Sequence, residues 1–307
     1  MFHPASYRAA ILLFPLLAFA LPPAAALGQA QEEVTIESVE LGGGVFLLTG
    51  QGGNLGAFVG EDGIFLIDDQ FAPLTDKILA ALAKLSPQPV RFVLNTHWHR
   101  DHTGGNENLG KRGAILVAHD NVRLRLSSEQ FNEIFQRTTP PSPPGALPVV
   151  TFADAVTFHW NGDTVRAFHV EHAHTDGDVV VSFEKANVVH MGDLFFNGRY
   201  PVIDISSGGG VEGIIAGVDR VLGMIDDSTK VIPGHGPLGD KKTLQAYRNM
   251  LAEISGRVKS LIAQGKTLEE VKAAKPGGAY DANWGNASIK PDLFTEVLYR
   301  DLSRPAK

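Results

Sequence analysis

Cysteine is absent from this chain of 307 residues, and its absence narrows the chemistry that the protein can perform. Without cysteine there is no disulfide framework, no thiol nucleophile and no thiolate ligand for a metal. Basic side chains are also in deficit, since 27 lysines and arginines stand against 34 acidic residues and the net charge is -7. Proteins that bind nucleic acid usually carry a basic surplus, so we expect no nucleic-acid partner. Any metal site must use histidine and carboxylate ligands.

The first thirty residues have the pattern of a targeting segment. They contain no acidic residue and one base, Arg8, followed by an apolar run over residues 9–21 and then by small residues. This pattern predicts a secretory signal peptide over residues 1–30, with cleavage after Ala30 or, alternatively, near the alanines at 24–26. The run is short for a membrane-spanning helix and is interrupted by Pro15, so we expect no stable membrane anchor. The protein is therefore predicted to be periplasmic or secreted.

Residues 31–307 are predicted to form a single domain in which strands and helices follow one another in two similar halves. Apolar, β-prone stretches separated by glycine-rich turns predict strands, and amphipathic stretches predict helices at 74–85 and 121–137 and, near the C-terminus, at 240–264, 268–273 and 291–302. A loop with five prolines spans residues 138–148. Two sheets with helices on their outer faces would satisfy this order, which predicts an α/β fold. The sequence carries no indication of oligomeric state.

Eleven histidines contrast with the missing cysteine, and several of them cluster after a predicted strand at 90–94. There the chain reads Asn-Thr-His-Trp-His-Arg-Asp-His over residues 95–102. In an extended segment, residues i and i+2 point the same way, so His97 and His99 can chelate one ion. Asp101 and His102 lie further along and can turn toward a second ion. Neutral imidazoles and a carboxylate suit Zn²⁺, with Fe or Mn as alternatives.

Three further segments end predicted strands with residues that can bind a metal. They contain His174 within residues 172–178, Asp193 within residues 191–194, and His235 within the Pro-Gly-His-Gly run at 233–236. Each segment lies where a strand delivers the chain to one edge of a sheet. Together with the first cluster, they predict a site for two metal ions.

These motifs, in this order, resemble those of the metallo-β-lactamase superfamily over roughly residues 40–250. The resemblance implies a four-layer αββα sandwich with the site at one edge of the sheets. It implies that the first ion is held by three histidines and the second by two histidines and an aspartate, while Asp193 bridges the ions or binds the second. It leaves Asp68 as either a brace for the ligand loop or a strand-end turn residue, and makes His172 a supporting or packing residue. The implied ligands are His97, His99 and His174 for the first ion, and Asp101, His102 and His235 for the second.

The resemblance also implies a dinuclear zinc hydrolase acting on a small molecule. Two divalent ions can share a hydroxide that attacks an acyl bond, and Asp101 would bind a metal and orient that hydroxide. The candidate substrates are β-lactam-like cyclic amides, lactones and esters. Thioesters, as in glyoxalase II, are the alternative.

The sequence departs from typical zinc β-lactamases at three places. Asp193 stands where many of them have cysteine, Phe196 stands where many have a substrate-binding lysine, and only a short turn at 50–54 corresponds to their long flap. Each departure disfavours efficient β-lactamase activity. Phe196, Arg199 and Tyr200 are candidates for substrate contact, with Arg199 or Tyr200 replacing the lysine.

Two other classes compete with the hydrolase. One is a di-iron redox protein, but such family members carry a flavin domain and an acidic residue in place of the second histidine, and His99 is present here. The other is a metal-binding protein without catalysis, which the intact ligand set disfavours. Metal analysis of the purified protein distinguishes these classes.

Overall fold

The computed structural model describes Met1 and residues 34–304. The predicted signal peptide over residues 1–30 lies, apart from Met1, outside the described residues. Residues from Val34 onward belong to one compact unit. Within the described part of the chain, no helix is both long enough and apolar enough to cross a membrane.

Strands and helices alternate along the described chain. Its strands are β1 (Glu37–Gly42), β2 (Val45–Thr49), β3 (Leu55–Phe58), β4 (Ile64–Ile67), β5 (Val90–Leu94), β6 (Ile115–His119), β7 (Gln130–Asn132), β8 (Arg137–Thr139), β9 (Val150–Phe152), β10 (Ala155–Trp160), β11 (Asp163–Val170), β12 (Asp178–Phe183), β13 (Val188–His190) and β14 (Lys230–Ile232). Its helices are α1 (Thr75–Leu85), α2 (Arg100–Thr103), α3 (Asn106–Gly110), α4 (Asp120–Leu126), α5 (Val211–Met224), α6 (Lys241–Ala263), α7 (Leu268–Ala273), α8 (Asp281–Trp284) and α9 (Pro291–Leu302).

The strands form two large sheets and one small hairpin. The first sheet has the order β1-β2-β3-β4-β5-β6-β9, and the second has the order β10-β11-β12-β13-β14. Strands β7 and β8 pair only with each other. The two large sheets follow each other along the chain, as the two similar halves of the sequence predict.

Alternation of apolar residues shows how the sheets are layered. On β4, Phe65 and Ile67 join an apolar cluster that also contains residues of the second sheet, while Ile64 and Leu66 join the cluster under α1. On β12, Val181 faces the first cluster and Val180 faces the helices α5, α6 and α9. Each sheet is therefore buried on both faces, between its partner sheet and a layer of helices. The αββα architecture expected from the sequence is confirmed.

The helix predicted over residues 121–137 is wrong beyond its first turns. Helix α4 ends at Leu126, where the hydroxyls of Ser127 and Ser128 donate to the carbonyl of Leu124 at 2.8 and 3.0 Å. The chain then forms the β7–β8 hairpin, and in its turn the Asn132 side chain accepts the backbone N–H groups of Ile134 and Phe135, both at 3.0 Å. Serine and asparagine side chains compete with the helix for backbone groups, which explains the change of conformation.

We expect Phe65→Ala to lower the free energy of unfolding by about 3–5 kcal/mol, because the ring is fully buried between the sheets. It contacts the rings of Phe158 and Phe92 at centroid distances of 4.8 and 5.4 Å. Urea denaturation followed by circular dichroism measures the change. Val39→Ala is the control, because Val39 is 52% exposed and its truncation should cost about 0.5 kcal/mol or less. Equal destabilisation by the two substitutions would contradict the assigned sheet interface.

Candidate metal centre

The strand directions bring the histidine and aspartate motifs to one edge of the sandwich. Strands β4 and β5 are parallel, as are β13 and β14. Because β12 is antiparallel to both β11 and β13, strands β11, β13 and β14 run in the same direction. Carboxyl ends of parallel strands meet at the same edge of a sheet, so the loops after β11, β13 and β14 converge, and the loop after β5 of the first sheet meets them there.

Two groups of side chains that could each hold a metal ion meet at this edge. Within each group the potential ligand atoms lie within 4.8 Å of one another. The first group consists of His97, His99, His174 and Asp193, and the second of Asp101, His102 and His235. The structure thus brings together all seven residues that the sequence singled out as ligands.

One pair of imidazoles has a geometry that requires a shared proton or a bound cation. His99 Nε2–H donates to Asp204 Oδ2 at 3.0 Å, and His174 Nδ1–H donates to the carbonyl of Val202 at 2.8 Å. Each ring therefore presents its other nitrogen as an unprotonated acceptor in the neutral state. These two nitrogens, His99 Nδ1 and His174 Nε2, face each other at 2.8 Å. Two lone pairs at this distance repel unless a shared proton or a cation lies between them.

A hydrogen-bond chain from Asp68 orients two further imidazoles. Thr96 Oγ1 donates to Asp68 Oδ2 at 2.7 Å, so toward His97 Nδ1, 3.1 Å away, the hydroxyl acts as an acceptor. This leaves His97 Nε2 as a buried atom with no hydrogen-bond partner among the described residues. His102 Nδ1–H also donates to Asp68 at 2.7 Å, which leaves its Nε2 facing the cluster. Of the two interpretations of Asp68, these contacts favour the brace for the ligand loop.

The carboxylate of Asp193 lies between the two groups. Its Oδ2 is 3.4 Å from His174 Nε2 and 3.8 Å from His97 Nε2 in the first group. The same oxygen is 3.5 Å from His235 Nε2, and Oδ1 is 3.2 Å from His102 Nε2 in the second group. This position suits a ligand shared by two ions, and the all-nitrogen-and-oxygen donor set fits Zn²⁺, Fe or Mn.

Burial and charge set the protonation of the cluster without metal. Burial lowers the pKa of His97, with a contribution from neighbouring His102, and lowers that of His174 to about 4. Burial also disfavours the charged forms of His235 and Asp193, but their mutual attraction outweighs it. The pKa of His235 rises to about 9, and the pKa of Asp193 falls well below its usual range. At His102, burial is outweighed by the carboxylates of Asp193, Asp101 and Asp68, which raise the pKa well above its usual value. His97 and His174 are therefore ready to bind a cation, whereas His102 and His235 must first lose a proton.

Two glycines allow the backbone to approach the cluster closely. A Cβ on Gly234 would lie 2.0 Å from Asp193 Oδ1, and a Cβ on Gly53 would lie 2.2 Å from His102 Cε1. Asn54 ties the same two segments together, since its Nδ2 donates to the carbonyls of Pro233 and Gly236, both at 2.9 Å. The short turn at 50–54 thus packs against the ligand loops.

The three predicted substrate contacts have different surroundings. Phe196 is 4% exposed, and its ring stacks on His235 with 5.2 Å between centroids, which supports that imidazole. Tyr200 is 1% exposed, donates its hydroxyl to Asp281 at 2.7 Å and stacks on Phe294. This places Tyr200 in the core beside α9, and the expectation that it contacts substrate is corrected. Arg199 is half-buried.

The sequence analysis did not identify Asp204 as the partner of His99. The sequence offers only a local signal here, since an aspartate with serines two and three positions later suggests a cap. In the structure Asp204 does accept the N–H groups of Ser206 and Ser207, at 3.1 and 3.2 Å. Its contact with His99 spans 105 positions of the chain. Only the fold brings these two residues together.

We expect Asp204→Asn to weaken metal binding about 10- to 100-fold, because a carboxylate that accepts from the far nitrogen of a ligand histidine orients the ring and raises its basicity. Competition with a fluorescent chelator measures the affinity. Asp227→Asn is the matched control, since Asp227 is exposed. Equal affinities for the two variants, both folded by circular dichroism, would contradict the orienting role of Asp204.

We also expect metal binding at pH 7.5 to release protons from His102 and His235. The pKa of His235 is about 9 in the metal-free protein, so the ring is protonated below that pH, and only the neutral ring can bind a cation. The apparent affinity should therefore rise as the pH increases toward 9. Calorimetric titrations in buffers of different ionisation enthalpy measure the release, with the exposed His159→Gln as control. Binding heats that are independent of buffer throughout pH 7–9 would refute this assignment.

The sequence is similar to those of several known proteins. The chain is 25% identical over 183 residues to metallo-beta-lactamase type 2 of Bacillus cereus, covering 59% of this chain and 66% of that protein. It is 28% identical over 169 residues to hydroxyacylglutathione hydrolase of a Polaromonas species, covering 53% and 55% of the two chains. It is 29% identical over 134 residues to atrochrysone carboxyl ACP thioesterase of Aspergillus terreus, covering 44% and 35%. The chain thus spans about a third to two thirds of the length of these relatives.

A solved structure shows the same fold. The metallo-beta-lactamase from Pontibacter korlensis superposes with a TM-score of 0.58 at 22% identity, covering 71% of this chain and 99% of that one. The profile of the metallo-beta-lactamase superfamily matches residues 48–256, which is more than half of the chain and includes every residue of the two metal-binding groups. This chain therefore belongs to the metallo-beta-lactamase superfamily.

Proposed function

We propose that the protein is a dinuclear, zinc-dependent hydrolase that cleaves an acyl bond of a small molecule. The observation that carries this proposal is the pair of facing imidazole nitrogens of His99 and His174, 2.8 Å apart, beside a second group of potential ligands that Asp193 adjoins. His97, His99 and His174 would hold one ion, Asp101, His102 and His235 the other, and Asp193 both. Two such ions, when bound, would supply a water of lowered pKa and polarise a carbonyl group.

Asp101 is the residue through which the chain would orient the attacking water. Its carboxylate is 28% exposed, whereas that of Asp193 is 5% exposed. Its Oδ2 lies 3.3 Å from His235 Nε2 and 3.7 Å from His102 Nε2. Burial opposes ionisation of Asp101, but these imidazoles outweigh it and lower the pKa of the carboxyl group. At neutral pH the carboxylate is therefore ionised, and it can accept a hydrogen bond from water on the open side of the cluster.

The proposed substrates are cyclic amides of the β-lactam type, lactones and esters. The relative from Bacillus cereus, named as a metallo-beta-lactamase, supports the first of these. A thioester is the second candidate, supported by the relatives named as a thioesterase and as hydroxyacylglutathione hydrolase.

We further propose that the protein acts in the periplasm or outside the cell, on the strength of the pattern of residues 1–30. An exported protein beginning at Gln31 would support this, and retention of residues 1–30 in a cytoplasmic protein would contradict it.

A substrate panel tests the proposal. Purified protein loaded with zinc, and the same protein treated with chelator, are assayed with a chromogenic cephalosporin, a γ-lactone, a carboxylic ester, a thioester and a phosphodiester. Metal-dependent cleavage of the cephalosporin, lactone or ester supports the leading proposal, and cleavage of the thioester alone supports the second candidate. Absence of turnover, or iron with redox activity in the purified protein, would overturn both.

We expect Asp101→Ala to lower kcat about 100-fold or more on whichever substrate is cleaved, because a positioned group that orients or takes a proton from the nucleophile contributes about this much. Metal content is measured in parallel, so that loss of an ion is distinguished from loss of water orientation. Asp227→Ala is the matched control on an exposed turn. Wild-type turnover by Asp101→Ala would refute the mechanism.

A further inference from the structure

A cavity of about 510 Å³ opens directly beside the metal-binding residues. His99 and Asp101 line one side of it, and the β7–β8 hairpin contributes Asn132, Phe135, Arg137 and Thr139 to its wall. The volume falls within the range of pockets that bind small organic molecules. A molecule in this cavity would have one end at the predicted metal ligands and the other at the hairpin.

The hairpin is tied to the metal centre rather than free at the surface. The N–H of Glu133 donates to Ser206 Oγ at 2.9 Å, and Ser206 belongs to the turn capped by Asp204, which in turn holds His99. At the start of the hairpin, Arg125 binds Gln130 Oε1 at 2.8 Å. These contacts preorganise one wall of the cavity relative to the site of chemistry.

The same guanidinium anchors the hairpin to the His174 loop. Arg125 donates two hydrogen bonds of 2.7 Å to the carboxylate of Asp176, which lies two residues after His174. A bidentate pair of this kind fixes direction as well as distance. The hairpin is therefore connected to two ligand-bearing segments by separate contacts.

The cavity combines apolar rings with cations. Phe71, Trp98 and Phe135 line it, and Phe135 is 48% exposed. Arg100 and Arg137 also line it, and neither forms a side-chain hydrogen bond or ion pair with any described residue. In a chain of net charge -7, two unpaired guanidinium groups next to a hydrolytic site point to an anionic ligand.

Trp98 connects the cavity wall to the first metal-binding group. Trp98 is 4% exposed, and its Nε1 has no hydrogen-bond partner among the described residues. Trp98 lies against His99, with 4.6 Å between ring centroids.

We propose that this cavity selects acyl substrates that carry a ring and a carboxylate, with Arg137 contacting the carboxylate and Phe135 packing against the ring. The proposal rests on the hydrolytic function proposed above. It places the reacting carbonyl near His99 and Asp101 and the anionic group at the hairpin. Arg137 is thus a residue that determines substrate specificity and takes no part in bond cleavage.

Two matched nitrophenyl esters test this selection. The first is the ester of 4-carboxyphenylacetic acid, and the second is the ester of 4-(methoxycarbonyl)phenylacetic acid, which lacks the negative charge. For the wild-type protein we expect a lower KM for the charged ester. Arg137→Ala should raise the KM for the charged ester about tenfold, as the loss of one charge-assisted contact implies, with little change for the neutral ester and in kcat. Arg137→Lys should recover part of the difference, and Phe135→Ala should raise the KM for both esters.

Control variants separate the outcomes. Arg112→Ala should leave both KM values unchanged, because Arg112 pairs with Asp76 and Asn108 on α1 and α3. Arg199→Ala tests the contact predicted from the sequence. If the preference for the charged ester is lost in Arg199→Ala and kept in Arg137→Ala, or is missing from the wild-type protein, the selection by Arg137 is refuted.

Calorimetric measurement of binding of the product 4-carboxyphenylacetate tests the role of the cavity separately from the hydrolytic function. If neither ester is hydrolysed but Arg137→Ala weakens product binding about tenfold, the ester hydrolase fails and the cavity assignment holds. If the esters are hydrolysed but product binding and KM are unchanged in Arg137→Ala, the hydrolase holds and the cavity assignment is overturned.

Discussion

The facing nitrogens of His99 and His174, 2.8 Å apart and each with its other ring nitrogen already engaged, impose the constraint on which the site depends. Burial lowers the pKa of His174 to about 4, so that imidazole is uncharged at neutral pH. A bound divalent cation would satisfy both lone pairs at once. The carboxylates of Asp68, Asp193 and Asp204 around the imidazoles then act as orienting groups and as compensating negative charge.

The close approach of the ligand side chains explains two features of the backbone around them. Gly234 and Gly53 let two loops approach Asp193 and His102 more closely than any side chain would permit. Asn54 closes the same region by bonding two carbonyls of the loop that carries His235. The short turn at 50–54 is thus part of the scaffold of the metal centre, whereas the wall of the adjacent cavity is supplied by the β7–β8 hairpin.

The fold class could be predicted because each buried strand carries its burial pattern in its own residues. On β4, the four residues Ile64–Ile67 alternate between two apolar clusters, and the continuous apolar run signals a strand covered on both faces. Strand β1 has no such signal, since four of its six residues are exposed and its apolar pattern is weak. The sequence predicts a helix where the hairpin forms, because hydrogen bonds of the Ser127, Ser128 and Asn132 side chains, rather than apolar periodicity, decide the conformation there.

By itself, the sequence determined the chemistry available to this protein. With no cysteine and with imidazoles and carboxylates placed at strand ends, it restricted the site to nitrogen and oxygen ligands and placed all seven candidate ligands at one edge of the sheets. Only the tertiary structure decided which atoms face the metal and what surrounds them. The tautomers of His99 and His174 depend on Asp204 and on the Val202 carbonyl, which are distant in sequence, and the position of Tyr200 depends on packing against α9. Long-range packing and hydrogen bonds leave no local pattern in the sequence, so these features emerge only when the chain is folded.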